Sequence, residues 1–333
     1  MSKQSMSSYE VVYKAIEFKS PDRLPIRFDD LGLTDVITVK WNQIGPGNWE
    51  NRESVDEWGC TWIRTSVNNM GQVKIHPLED WKSVKNFNFP DPDNPGFYDK
   101  MDEQFNSYHD KYILLEFFML LFERLHSLHG FKNTLEDLYI ARKKVENLAD
   151  IIVDFNIRVI KNISRRFPDR IHGLWFTDDW GSQQDIFINP NMWREIFKPR
   201  YKLIFDEIHK FGWHVWMHSC GKINSIIEDL IEIGLDVINL QQPRVLGIED
   251  IGHRFKGKIC FETLCDIQKT LPFKTEKDIR CEAKLILNQW ATPEGGFILS
   301  DYGGGHAIGV EYNKKEIMLN AFLQSYKDIF GHI

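Results

Sequence analysis

The sequence lacks the features that would place it in a membrane or outside the cell. No apolar run approaches the roughly 18 residues that suggest a membrane-spanning helix. The first ten residues, MSKQSMSSYE, are polar and have no apolar core of the kind found in signal peptides. Five cysteines among 333 residues are an odd number without the spacing of a small disulfide-bonded domain. We therefore expect a cytoplasmic protein with no membrane segment.

Basic runs, repeats and glycine-rich phosphate loops are also missing. The formal net charge is −7, which argues against a general nucleic-acid binder. No G-x-G-x-x-G follows any predicted strand, so a dinucleotide-binding open sheet is disfavoured. The chain is 42% hydrophobic and 27% charged, a composition typical of a globular protein with a substantial core.

The most informative stretch is GWHVWMHSCG, residues 212–221. It predicts a short apolar strand, on which side chains two apart share a face. His218 and Cys220 would then project together from the end of the strand, and an imidazole beside a thiolate is half of a zinc site. Spacing alone does not separate this hypothesis from two buried packing residues.

Predicted strands and helices alternate along most of the chain. The pattern begins with a helix over 8–18, and strands are predicted at 24–28, 112–119, 171–176, 212–218, 237–240, 258–261 and 296–299. About eight such units favour a (β/α)8 TIM barrel, with a doubly wound open sheet as the alternative. A hairpin with its turn at 68–71 and a Pro/Asp/Asn loop at 87–95 predict an N-terminal elaboration. We expect a single domain over 1–333, with the elaboration and first strand in 1–110 and the core barrel in 111–333.

Polar residues collect where the predicted strands end, the position at which TIM-barrel enzymes carry their chemistry. Each has an alternative interpretation: Asp178 and Asp179 suit capping of the helix that follows them, and Gln241 and Gln242 suit an ordinary loop. The set comprises Asp29, Asp30, Thr177, Asp178, Asp179, Trp180, His218, Cys220, Asn239, Gln241, Gln242, Cys260, Glu262, Asp301 and Tyr302.

Three segments of the C-terminal half resemble uroporphyrinogen decarboxylase and its relatives, the cobalamin-dependent methyltransferases. They are FTDDWGSQ at 176–183, PNMWREIFKPRY at 190–201 and HSCG at 218–221. The resemblance implies a (β/α)8 barrel. In the methyltransferase branch it also implies zinc held by the H-x-C pair and by a later cysteine near the last strand. His218 and Cys220 match the pair, but residues 297–303 contain no cysteine. We expect Asp301 as the third ligand, with Cys260, Glu262 and His306 in reserve.

The resemblance implies a zinc-dependent methyltransferase that moves a methyl group from a small donor, such as a methyl ether, to the corrinoid (cobalamin) of a partner protein. We predict catalytic roles for Asp178, Asp179 and Asp301. We predict substrate contacts from Asp29, Trp180, Gln183, Gln241 and Tyr302, with Trp216 adding to an aromatic wall. The alternatives are a metal-free decarboxylase and a non-catalytic ligand-binding relative. A substrate with many carboxylates needs several cations, and the chain has no arginine-rich N-terminal segment, so decarboxylation is disfavoured.

Overall fold

The computed structural model describes residues 5–42, 52–64, 71–105, 110–303 and 305–331. Its strands are β1 (Ile26–Phe28), β2 (Leu33–Thr34), β3 (Val36–Lys40), β4 (Glu53–Val55), β5 (Thr61–Ile63), β6 (Gln72–Ile75), β7 (Tyr112–Phe117), β8 (Gly173–Thr177), β9 (His214–His218), β10 (Val237–Leu240), β11 (Cys260–Thr263) and β12 (Phe297–Ser300). Its α-helices are α1 (Ser8–Ile16), α2 (Met101–Phe105), α3 (Phe122–His129), α4 (Phe131–Ile140), α5 (Arg142–Arg166), α6 (Pro190–Ile196), α7 (Lys198–His209), α8 (Ile227–Glu232), α9 (Pro243–Leu246), α10 (Ile248–Phe255), α11 (Thr270–Phe273), α12 (Glu276–Trp290) and α13 (Tyr312–Phe330).

One nine-stranded sheet forms the scaffold, in the order β2-β1-β12-β11-β10-β9-β8-β7-β3. Apart from the short antiparallel β2, neighbouring strands are parallel, and they follow one another around the sheet in chain order. The two ends meet where the Asp35 amide donates to the Ile26 carbonyl at 2.7 Å and Arg27 donates to Thr38 Oγ1 at 3.0 Å. The predicted (β/α)8 barrel is confirmed, and it brings the C-terminal ends of its strands to one face.

The second barrel strand, β3, was not predicted. It pairs in parallel with β7 from Val36↔Tyr112 to Lys40↔Glu116, inside the segment expected to be mainly elaboration. The run VITVK is rich in β-branched residues, which favour strands, so the sequence does contain a signal for it. Two of the eight barrel strands therefore precede residue 42.

The predicted elaboration exists as a separate three-stranded antiparallel sheet, β4-β5-β6. The predicted hairpin is its β5–β6 pair, and residues 68–70 of the predicted turn at 68–71 lie outside the described residues. Asp56 anchors this sheet, because its carboxylate accepts the amides of Trp58 and Cys60 and pairs with Arg124 of α3 at 2.6 Å. The Asp56 and Arg124 side chains are both 1% exposed, so removing Arg124 would leave the buried Asp56 carboxylate without this cation.

The long helix predicted over 191–211 is divided at Phe197 into α6 and α7. Pro199 lies in the first turn of α7, where its missing N–H is tolerated, whereas a continuous helix would lose a hydrogen bond there. Among the described residues, none of the helices combines the length and apolar character required to cross a bilayer.

Candidate active site

The DDWG and HSCG segments meet through two glycines. A Cβ atom added at Gly221 would lie 2.1 Å from the Gly181 carbonyl oxygen, and Gly221 has φ +77°. The Gly181 amide also donates to the Cys220 carbonyl at 3.2 Å. Only glycine permits this backbone approach and this φ together. The contact holds the ends of the adjacent strands β8 and β9 side by side.

Three potential metal ligands converge at this junction: Asp179, His218 and Cys220, which we call the metal group. One ligand atom from each lies within 4.8 Å of the others. His218 Nε2 is 3.3 Å from Cys220 Sγ and 3.6 Å from Asp179 Oδ1. A zinc ion with bonds of about 2.0–2.3 Å in a tetrahedron separates its ligands by roughly 3.3–3.8 Å. Both distances from the imidazole therefore fall in the range that a tetrahedral zinc ion sets.

Asn239 orients the imidazole of this group. His218 Nδ1 lies 2.6 Å from Asn239 Oδ1, an acceptor, so Nδ1 carries the proton and Nε2 keeps its lone pair. Metal-binding histidines commonly have this arrangement, because a partner on one ring nitrogen fixes the tautomer and orientation of the other. The donor set and its support both fit a zinc ion.

The acidic side chains in and around the metal group would also favour a bound cation. Burial, followed by the nearby carboxylates of Asp179 and Glu123, raises the pKa of the Cys220 thiol. Burial, followed by the charges of Asp179 and Asp178, raises the pKa of Glu123. A metal ion would balance these acidic groups and stabilise the thiolate. Glu123 was not predicted as a site residue, although it lies just after the end of β7, where a barrel strand leads into its helix.

Asp178, predicted to be catalytic, is completely buried and is not one of the three residues of the metal group. Its carboxylate accepts the amides of Leu121, Phe122 and Glu123 at 2.7–3.0 Å and the hydroxyl of Tyr201 at 2.5 Å. It thus caps the N-terminus of α3, the helix before it in sequence. Burial raises the pKa of Asp178 to about 6 against the opposing effect of these bonds. The contacts are structural, although the capped helix is the preceding one and not the following one that the capping alternative named.

The predicted aromatic wall is not formed by Trp180 and Trp216. Trp180 has no exposed surface, stacks on Phe122 with ring centres 3.9 Å apart, and donates Nε1 to Tyr201. Trp216 is equally buried, in an apolar cluster that also contains Cys260. Both tryptophans are core residues, and Cys260 lies away from the metal group.

A polar cavity of about 200 Å³ opens beside the metal group at the barrel mouth. Arg27 lines this cavity and donates to Glu262 Oε1 at 3.0 Å, and its guanidinium lies 5.7 Å from the Trp175 ring centre. The lining comprises Arg27, Asp29, Trp175, Asn239, Gln241, Glu262, Ser300, Asp301 and Gly303. The predicted residues Asp29, Gln241 and Asp301 therefore share one cavity, together with Arg27 and Trp175, which were not assigned to the site.

Asp301, the expected third ligand, is not part of the metal group that the described residues form. Its carboxylate accepts the Asp30 amide at 3.3 Å and lies 3.8 Å from Lys315 Nζ. Burial, opposed by Lys315, raises the pKa of Asp301 to about 6. The structure thus puts Asp179 where Asp301 was expected and makes Asp301 a cavity residue.

The remaining predicted residues lie around the mouth. Burial and then the charges of Cys220 and Asp179 raise the pKa of Tyr302. Gln183 donates to Gln242 Oε1 at 3.0 Å. Glu262 is held by Arg27, and the side chain of His306 lies outside the described part of the structure.

Comparisons with known proteins agree with the barrel. The profile of the uroporphyrinogen decarboxylase (URO-D) family matches residues 120–323. A methyltransferase from Methanosarcina mazei is similar in structure, with a TM-score of 0.71 and 13% identity over 97% of this chain and 100% of that one. The alignment with xylanase 10B from Thermotoga petrophila RKU-1 covers 97% of this chain and 100% of that one at 12% identity. Its TM-score is only 0.41, too low to indicate a specific relationship. No curated protein matches the sequence. Identities this low show a shared fold alone.

Proposed function

Because this chain belongs to the uroporphyrinogen decarboxylase family, we propose that it is a zinc-dependent methyltransferase that moves a methyl group from a small donor to the corrinoid of a partner protein. The observation that carries the proposal is the convergence of Asp179, His218 and Cys220 at the C-terminal ends of β8 and β9. Zinc bound there would act as a Lewis acid on the donor's heteroatom and make it a better leaving group.

The chain's own residues prepare this chemistry. Asn239 holds the His218 ring so that Nε2 faces Cys220 and Asp179. The departing heteroatom needs a proton when the methyl group leaves. Tyr302 carries a proton at neutral pH as any tyrosine does, and its raised pKa makes it a weak acid that can protonate only a strongly basic leaving oxygen. The cavity beside the group would hold the rest of the donor.

The cavity argues against decarboxylation of a polycarboxylate. Arg27 is the one cation among its lining residues, and it is already paired with Glu262. Asp29 and Asp301 add two further carboxylates to the lining. A substrate with several carboxylates would meet a negative field rather than the cations that it needs.

Metal analysis combined with a methyl-transfer assay tests the proposal. We expect close to one zinc per chain, and loss of most of it in His218→Ala and Cys220→Ala. Reduced cob(I)alamin, supplied in place of the partner protein, should become methylcobalamin in the presence of methanol, 2-methoxyphenol or 3-methoxypropane-1,2-diol, as followed by absorbance. Absence of zinc together with turnover of a porphyrinogen would establish the decarboxylase instead. Zinc without methylcobalamin from any donor would also contradict the proposed reaction.

A further inference from the structure

We infer that the cavity beside the metal group binds hydroxyl groups, and that the methyl donor is a small neutral compound with at least one hydroxyl besides its transferable methyl group. The identification of the ligand as a methyl donor rests on the proposed function. The hydroxyl-binding site itself rests on the cavity alone.

Three of the lining residues each carry a buried polar atom that has no hydrogen-bond partner among the described residues. These atoms are Glu262 Oε2, Ser300 Oγ and Trp175 Nε1. Glu262 and Ser300 are only 1% and 3% exposed. An unpaired buried polar atom lowers the stability of the folded protein. Three of them around one cavity indicate a ligand that supplies both hydrogen-bond donors and hydrogen-bond acceptors.

The charges around the cavity decide the kind of ligand. Glu262, Asp29 and Asp301 outnumber Arg27 among the lining residues, so an anionic ligand is disfavoured. A cation is disfavoured at Glu262, because the Arg27 guanidinium already lies 3.0 Å from its other oxygen. An ammonium group would also offer nothing for the Trp175 N–H to donate to. A hydroxyl can donate to Glu262 Oε2, and its oxygen can accept from the Trp175 N–H and the Ser300 O–H, so hydroxyl chemistry suits all three atoms.

The lining also argues against an aromatic donor. Seven of the nine lining residues have polar or charged side chains, the exceptions being Trp175 and Gly303. The Trp175 ring has the Arg27 guanidinium 5.7 Å from its centre, which makes it a poor platform for a second ring. A flexible aliphatic compound with polar groups fits this surface better than an aryl ether.

Asn239 connects the cavity to the metal group. It lines the cavity and accepts a hydrogen bond from His218 Nδ1. In the sheet it is the register partner of His218 on β9 and of Glu262 on β11. Neighbouring strands are about 4.8 Å apart, so His218 and Glu262 are separated by two such steps. A chain of a few carbons would place a methyl ether at the metal group and a hydroxyl at Glu262.

Binding of matched probes to the zinc-loaded protein tests the inference. The probes are 3-methoxypropane-1,2-diol, 1-methoxypropane, methoxyacetate and methoxybenzene, which share the methoxy group and differ in the rest. We expect the diol to bind at least about 10-fold more tightly than the other three, since each lacks a hydroxyl for the unpaired atoms. Dissociation constants from ligand-observed NMR provide the measurement.

Two variants and a matched control identify the subsite. Ser300→Ala and Glu262→Gln should each weaken diol binding by about 10-fold while zinc content stays unchanged. Thr134→Val is the control, because Thr134 is fully buried, its Oγ1 also lacks a partner among the described residues, and it does not line the cavity. Ser300→Ala should leave the melting temperature unchanged or higher, since the removed hydroxyl has no bond in the protein.

The outcomes separate this inference from the proposed function. Equal binding of all four probes, or diol binding that Ser300→Ala and Glu262→Gln do not weaken, would overturn the hydroxyl-binding site even if methyl transfer occurs. Selective diol binding that needs Glu262 and Ser300, without any methylcobalamin, would support the site and overturn the methyl transfer. Selective binding with methylcobalamin formed fastest from the diol supports both.

Discussion

His218 Nδ1 lies 2.6 Å from Asn239 Oδ1, and this contact joins the metal group to the polar cavity. The two residues are register partners on adjacent strands, so the sheet itself sets their separation. The same asparagine can therefore hold the metal-facing imidazole and touch a bound donor. This dual position makes it the most informative target outside the ligands.

Replacement of Asn239 should weaken metal binding without removing a ligand. We expect Asn239→Ala to lower zinc affinity by about 10- to 100-fold, because the imidazole loses the partner that fixes its tautomer and orientation. Competition with a chelator at pH 7 measures the affinity. Asn224→Ala is a suitable control, since the Asn224 amide bonds the Leu246 carbonyl away from the site. Equal zinc affinity in wild type and Asn239→Ala would show that this bond does not support the metal.

The zinc content of two aspartate variants tests which carboxylate is the third zinc ligand. Asp179→Ala should lose most of the bound zinc, because this carboxylate converges with His218 and Cys220. Asp301→Ala should keep it, since Asp301 interacts with Asp30 and Lys315 instead. Zinc per chain, measured by mass spectrometry after dialysis, distinguishes the two. The opposite result would restore Asp301 as the ligand that the sequence predicted.

Asp178 should matter for stability rather than for chemistry. Asp178→Ala leaves three amides at the start of α3 and the Tyr201 hydroxyl without their acceptor. We expect a loss of about 3–5 kcal/mol in the free energy of unfolding, measured by denaturant titration. The exposed Asp185 provides the control variant, Asp185→Ala, with little effect. Unchanged stability combined with lost methyl transfer would instead support the predicted catalytic role.

His172 predicts a pH dependence of stability. Its Nδ1 accepts the Ile113 amide at 2.8 Å, so the folded protein needs this nitrogen unprotonated. Burial and then His214 lower the pKa of His172 to about 4. The unfolded chain, with an ordinary histidine pKa of about 6.5, therefore takes up the proton first. The free energy of unfolding should fall as pH decreases from about 6.5 to about 4, by up to about 3 kcal/mol.

His172→Asn isolates this contribution, because an asparagine oxygen can replace Nδ1 as the acceptor without titrating. Denaturant titrations of both proteins at pH 7.0, 5.5 and 4.0 provide the comparison. The variant should lose less stability than wild type over this range. Parallel pH curves would show that His172 does not titrate between the folded and unfolded states.

Much of the scaffold and two of the three residues of the metal group could be predicted from the sequence, because local sequence patterns determine them. Apolar periodicity and chain breaks determine where strands and helices alternate, and this alternation specified the barrel. Side chains two apart on a strand face the same way, so His218 and Cys220 were paired by spacing alone. The missed strand β3 was also locally encoded, in the run VITVK.

The tertiary structure decided which carboxylate lies beside His218 and Cys220. Asp178 and Asp179 are consecutive residues beyond a strand end, and no local rule determines which of them turns towards a neighbour. The N-terminus of α3 takes Asp178 as its cap, which leaves Asp179 beside His218 on the adjacent strand. Asp301 follows β12, three strands from β9 in the sheet, so its carboxylate joins the cavity instead. Strand order and competing hydrogen-bond donors are properties of the folded chain, and they determined which carboxylate lies at the metal group.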